Sequence, residues 1–216
     1  MPQQHERVVK SYWDQFPIIP IITYQKELER HLKDCDSVLD IGCGGGTPIR
    51  YIPFKRAVGV DLDKEYIERA IKEKTHHEYH LADVRKVASM FKEKEFDACV
   101  ALDLIEHLTK EDGLQLITDM KKLAKKKIIL FTPNGYMNQK DDEHPLQDHH
   151  SGWTAQEMKK LGFEVYGMLG PIALRLDQHV LKGNKYITGV LSEIAQITYI
   201  HRTPEKAAAI FCVMHV

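Results

Sequence analysis

A short apolar run, Val38-Leu39-Asp40-Ile41, breaks abruptly into Gly42-Cys43-Gly44-Gly45-Gly46, and no other feature constrains this chain as much. An apolar stretch of strand length ended by clustered glycines reads as a buried strand entering a turn whose backbone a ligand can approach. Further short apolar runs follow at 57–60, 96–102 and 127–131, with a weaker strand signal at 77–81. Helical periodicity lies between them. In 64–74, Tyr66, Ile67, Ala70 and Ile71 share a face, and in 111–126, Leu114, Ile117, Leu123 and Ala124 point inward. A helix is also expected from about Thr47. Strands alternating with helices at this spacing build βαβ units on a parallel sheet. Strands that are apolar throughout agree, because such a sheet is covered on both faces.

The later part of the chain changes character. Residues 134–152 are polar, rich in His, Asp and Gly, and lack an apolar period, as a functional loop does. Thr154 with Glu157 three residues on has the form of a capping box, and Trp153 is expected to anchor the loop by packing. Strands at 163–169 and 207–213, joined by a mixed stretch at 171–203, would pair at one sheet edge. With 216 residues, 43% of them hydrophobic, one domain with a sizeable core is expected. Within it, 1–36 is an N-terminal helical cap segment, 37–169 the ligand-binding core and 171–203 an insertion before the last strand.

Charge excludes a bulk pull toward nucleic acid or anionic membrane, since 30 Lys and Arg face 31 Asp and Glu. The one basic cluster, Lys121, Lys122, Lys125, Lys126 and Lys127, reads as a solvated helix end. The four cysteines, Cys35, Cys43, Cys99 and Cys212, are scattered without metal-finger spacing and suit a reducing, cytoplasmic setting. The polar start, Met1 to Lys10, has no apolar core of a signal peptide, and no apolar run is long enough to span a membrane.

Which ligand the glycine turn serves follows from what it lacks. The dinucleotide fingerprint G-x-G-x-x-G fails, because the third glycine falls on Thr47 or Ile49. The phosphate-loop pattern fails as well, since no Gly-Lys-Ser/Thr follows. Asp40, just before the turn, would repel a pyrophosphate but suits a cationic ligand. The segment V-L-D-I-G-C-G-G-G resembles the first motif of the class I S-adenosylmethionine (SAM)-dependent methyltransferases, whose ligand carries a sulfonium and an ammonium. The resemblance covers roughly residues 37–169. It implies a Rossmann-like, doubly wound α/β fold with a seven-stranded, mostly parallel sheet in the order 3-2-1-4-5-7-6 and the seventh strand antiparallel.

It also implies a donor site. Asp40, Gly42, Cys43, Gly44 and Gly46 would form the turn around SAM. Asp61, with Leu62 beside it, ends the second strand, where an acidic side chain can accept from ribose hydroxyls; the alternative is a turn aspartate. Asp83 and Val84 match the position that meets the adenine amino group, although Asp83 also fits a helix N-cap. Leu102 and Asp103 match the position beside the methionine portion of SAM. The stretch Leu102-Asp103-Leu104-Ile105-Glu106-His107-Leu108 resembles the small-molecule, quinone-type branch, known by its methyltransferase type 11 domain. It lacks the Asn/Asp-Pro-Pro-aromatic signature of enzymes acting on base amines or glutamine amides.

For the acceptor side, His107, His149 and His150 are the candidate catalytic groups, and residues 141–150 the candidate lid. The same loop also reads as solvated, or, through His144, His149 and His150 with nearby carboxylates, as ion-binding; no metal is assigned. Tyr12, Trp13, Tyr24, Arg175 and Tyr199 are candidate pocket walls that also fit core packing. The expected activity is methyl transfer to oxygen, nitrogen or carbon of a small molecule, without nucleic acid or membrane as partner. The alternatives are a protein or RNA acceptor, an NAD(P)-dependent oxidoreductase, and a SAM-binding protein without turnover.

Overall fold

Every short apolar run in the middle of the chain becomes a strand. The computed structural model describes residues 24–139, 145–176 and 180–216. In it Ser37–Ile41 is β1, Arg56–Asp61 β2, Glu78–Leu81 β3, Phe96–Leu102 β4 and Ala124–Pro133 β5; Glu164–Pro171 is β6 and Ala207–His215 β7. They form one seven-stranded sheet in the order β3-β2-β1-β4-β5-β7-β6. β1 to β5 are mutually parallel. β7 runs antiparallel to both β5 and β6. β5 and β7 outrun the apolar stretches that mark them, because each lies between two neighbours that extend its ladder.

Period-2 alternation divides the core between the sheet's faces. Leu39, Ile41, Val58 and Val60 pack with Leu116, Ile117, Met120 and Leu123 of the helix Lys110–Leu123. Val38, Ala57, Ala98, Val100 and Ile129 face Leu28 and Leu32 of the helix Tyr24–Leu32. These helices are α4 and α1; α2 is Lys64–Glu73, α3 Val87–Met90, α5 Ala155–Lys160 and α6 Lys185–Thr198. In α4 the buried stripe is Gly113, Leu116, Ile117, Met120 and Leu123, so Leu114, expected inward, lies one position off it and is exposed. Asp63 caps α2, accepting from the N–H groups of Glu65 and Tyr66. The Thr154–Glu157 capping box forms as expected.

Two expectations change. After the glycine turn there is no long helix, only a 3-10 turn at Pro48–Tyr51, capped by the Thr47 hydroxyl. Pro53 is the reason: it holds the preceding Ile52 in extended backbone and stops the helix. The lysine cluster is not wholly solvated. Lys127 is buried, with Nζ 2.6 Å from Asp34 Oδ1 and 2.7 Å from His31 O. The insertion is partly helical and closes the edge of β6. Gln196 of α6 accepts from Gly170 N and donates to Gly167 O, both at 2.9 Å, occupying backbone groups that an edge strand leaves open. Among the described residues no helix is long and apolar enough to cross a membrane.

Candidate active site

The turn after β1 uses glycine where glycine is required. Gly42 and Gly44 have φ of +72° and +54°. The N–H groups of Gly42 and Cys43 both donate to Val60 O, at 2.8 and 3.1 Å, folding the turn over the end of β2. A Cβ on Gly42 would lie 2.7 Å from the Leu104 side chain, whereas one on Gly44 or Gly46 would meet nothing within 4 Å among the described residues. The backbone at Gly44 and Gly46 is therefore clear of the described residues, as a ligand cradle needs. Cys43 is buried toward Gly59, and burial pushes its thiol up, so its contribution to a ligand is its backbone.

Asp61 braces this cradle. Its Oδ2 accepts from Gly44 N at 2.8 Å and its Oδ1 from Asp63 N at 2.9 Å. Burial raises its carboxyl above the usual range, opposed by those two bonds. Each oxygen retains acceptor capacity for a hydroxyl. Leu62 beside it is exposed. Asp40 is placed differently from the expectation of a group facing the ligand. It is 1% exposed, with Oδ2 3.1 Å from Nε2 of the equally buried His76. Asp83 caps the 3-10 turn Val84–Lys86, and its pairing with Arg85 holds its carboxyl below the usual range. Val84 sends its side chain into the core.

The end of β4 carries the second half of the site. Leu102 is half-buried, and Asp103 follows with φ +51°, its N–H donating to Phe131 O at 2.9 Å. A left-handed non-glycine residue at a strand end marks backbone held by its surroundings. Asp103 is exposed; Glu106 is enclosed, and burial raises its carboxyl, with the charge of Asp103 adding to the effect. Tyr24 of α1 stacks on Phe131 with ring centroids 4.7 Å apart. Its hydroxyl is pushed up first by burial, then by the charges of Asp103 and Asp40.

The loop after β5 is not a solvated strap where it is described. His150 N and Ser151 N donate to Glu106 O at 2.9 and 3.1 Å, and Ser151 Oγ donates to Ile105 O at 3.1 Å. Trp153 is 1% exposed and anchors the segment, bonding through Nε1 to Ser151 Oγ at 2.9 Å. A Cβ on Gly113 would lie 2.5 Å from the Trp153 ring, so α4 needs a glycine there. The result brings His149 to His107, with ring centroids 4.9 Å apart, and both to Glu106. His150 is left exposed and apart from that cluster. Residues 141–144 of the 141–150 lid, with His144 among them, and Tyr12 and Trp13 lie outside the described residues. Arg175 is buried and donates to Leu169 O, a packing role, while Tyr199 is exposed.

Sequence reasoning missed Glu106, Thr132 and His76 as site residues. Glu106 carried a signal, standing next to His107 at a strand's carboxyl end. Thr132 and His76 carried none, since only packing shows that the Thr132 hydroxyl donates to Glu106 Oε2 at 2.9 Å and that His76 meets Asp40.

Residues 39–132 match the methyltransferase domain family. The ribosomal protein L11 methyltransferase of Thermotoga maritima is 25% identical over 138 residues, 62% of this chain and 49% of that protein. The chain spans about half the length of the curated relatives it matches. Among solved structures, a SAM-dependent methyltransferase from Archaeoglobus fulgidus is similar with a TM-score of 0.58 and 16% identity, covering 96% of this chain and 99% of that one. A small RNA methyltransferase is similar with a TM-score of 0.56 and 18% identity, covering 89% of this chain and 25% of that one. These structures share the fold. The matched segment includes the turn that lacks the third glycine of the dinucleotide fingerprint. The family match begins inside β1 and runs through the glycine turn to β5, so this segment is similar to a methyltransferase domain and sits on a sheet of the order expected for the class I SAM-dependent methyltransferases.

Proposed function

We propose that this chain transfers the methyl group of SAM to a small-molecule acceptor. The observation that carries the proposal is the cradle at Gly44 and Gly46, open to a ligand and braced by Asp61. SAM supplies a methyl carbon already activated by its sulfonium leaving group. The protein's task is then largely to hold donor and acceptor in line. In this reading Gly42, Cys43, Gly44 and Gly46 present backbone to the donor, and Asp61 with Leu62 holds the ribose. Asp83 and Val84 meet the adenine, and Leu102 and Asp103 border the methionine portion. Asp40 acts from below the turn, paired with His76. His107 and His149, grouped with Glu106, face the acceptor side; His150, exposed, is the weakest of the three catalytic candidates.

Balanced charge supports a small acceptor over RNA, because RNA binding draws on clustered Lys and Arg. Two proteins similar to this one, a ribosomal protein L11 methyltransferase and a small RNA methyltransferase, keep a macromolecular acceptor as the second reading. Calorimetric titration with SAM, its demethylated product and NADH tests the donor site: micromolar binding of the first two alone is expected, and NADH binding alone overturns the proposal. Methyl-labelled SAM added to a cell extract tests the acceptor. Label in the low-molecular-mass fraction is expected; label in protein or RNA moves the assignment to the second reading.

A further inference from the structure

The turn Ile105–His107 and the loop end at His149 come from separate parts of the chain and converge on one point. One ligand-type atom from each of Glu106, His107 and His149 lies within 4.8 Å of the other two. We propose that these three residues form a divalent-cation site, of the class taken by Mn2+ or Zn2+, at the carboxyl ends of β4 and β5.

Four observations carry it. The first is distance. Ligand atoms about 2.1 Å from one ion are at most about 4.2 Å apart, so the three need to close by roughly half an ångström. The second is tautomer. His149 Nδ1 lies 3.0 Å from Met137 O and His107 Nδ1 lies 3.1 Å from Asp148 O. A carbonyl only accepts, so each Nδ1 carries a proton and each neutral ring keeps its lone pair on Nε2. This is the outer-shell arrangement that orients a metal-binding histidine. The third is the carboxylate. Glu106 is 3% exposed and accepts from the Thr132 hydroxyl, and no lysine or arginine pairs with it among the described residues. A buried carboxylate is costly without a cation, and a bound ion offsets that cost. The fourth is rigidity. His150 N, Ser151 Oγ and buried Trp153 clamp the loop to the main chain of Ile105 and Glu106, so the ligands need little ordering.

Two imidazoles and one carboxylate favour transition-series ions over Ca2+, which takes oxygen ligands. The site adjoins the donor turn, because Leu104, the residue before Ile105, packs against Gly42. The consequence for substrate rests on the methyl-transfer reading. An ion here would hold an acceptor by a hydroxyl oxygen, which narrows the acceptor class to alcohols and phenols. On transfer the O–CH3 bond forms as the S–CH3 bond breaks, the hydroxyl proton passes to solvent, and S-adenosylhomocysteine leaves.

The test is calorimetry on the full chain, stripped with a chelator and desalted, using MnCl2, ZnCl2 and CaCl2, with SAM titrated separately. Expected is one Mn2+ or Zn2+ per chain with a micromolar Kd, weakened about tenfold or more by Glu106→Gln and by His149→Gln. Ca2+ should bind far more weakly, and the SAM Kd should stay within about threefold of wild type, the scale of noise set against a tenfold effect. Circular dichroism checks that the variants fold. If either fails, imidazole nitrogen coupling in the pulsed EPR spectrum of Mn2+ on the wild type reads the ligands directly, and its absence overturns the site. Failure of the wild type to take up either ion, or equal uptake by wild type and folded variants, also overturns it. Ion uptake without SAM binding upholds the site and removes the methyl-transfer reading; SAM binding without ion uptake does the reverse.

Discussion

Replacing Asp61 by alanine should separate binding from folding. The carboxylate does two things in the structure: it accepts from Gly44 N and Asp63 N, and in the proposed complex it accepts from ribose. One bond to a charged acceptor contributes about 1.5–3 kcal/mol net. Its loss predicts a SAM Kd about 10- to 150-fold weaker. Folding should respond differently. Burial raises the Asp61 carboxyl, so its ionised form is disfavoured on folding. A raised carboxyl stabilises the fold only below its unfolded pKa, and that contribution is lost as pH rises through the folded pKa. At neutral pH the fold therefore carries a penalty that Asp61→Ala removes, against the loss of two backbone bonds at partly accessible groups. The balance should fall within about 1 kcal/mol, a Tm change under about 4 °C for a domain of this size. Titration calorimetry and thermal melting of the same preparation check both halves. A SAM Kd within about threefold of wild type, with a Tm lowered by about 10 °C, would show Asp61 to be a turn brace only and refute the reasoning.

Two further outcomes follow from the same geometry. Gly42→Ala places a methyl against Leu104 at positive φ and should destabilise by about 1–3 kcal/mol in urea unfolding, whereas Gly46→Ala, which meets nothing, should fold normally and lose SAM affinity. Glu27 is buried, which by itself raises its carboxyl, yet bonds from His201, His31 and Arg30 outweigh this and hold it far below the usual range. A lowered carboxyl stabilises above its unfolded pKa, about 4.3, and the contribution is lost as pH falls toward the folded value. The urea midpoint should therefore drop as pH is lowered below about 4.3, and Glu27→Gln should flatten that drop; an unchanged slope would contradict the assignment.

Much of the donor half was legible because it is local. A strand of four or five residues running into glycines needs only its own backbone geometry, and Asp61 ends its strand. Even the missing helix after Thr47 was written in Pro48 and Pro53, a stop signal outweighed by the expectation of a strand–turn–helix unit. The acceptor half was not legible in the same way. His149 and His150 are neighbours of the same chemistry, and nothing local says that one is buried at Glu106 and the other exposed.

The sequence by itself determined the alternation of strands and helices, the glycine turn after the first strand, and the acids placed at the strand ends. Those properties depend on periodicity and steric limits within a few residues. Only the tertiary structure decided that Asp40 is turned to His76, that Lys127 is buried on Asp34, and that Glu106, His107 and His149 share one point. Each of these joins residues distant in the chain, and their side-chain directions are set by what packs around them: Gly59 beneath His76, and Trp153 seated over Gly113.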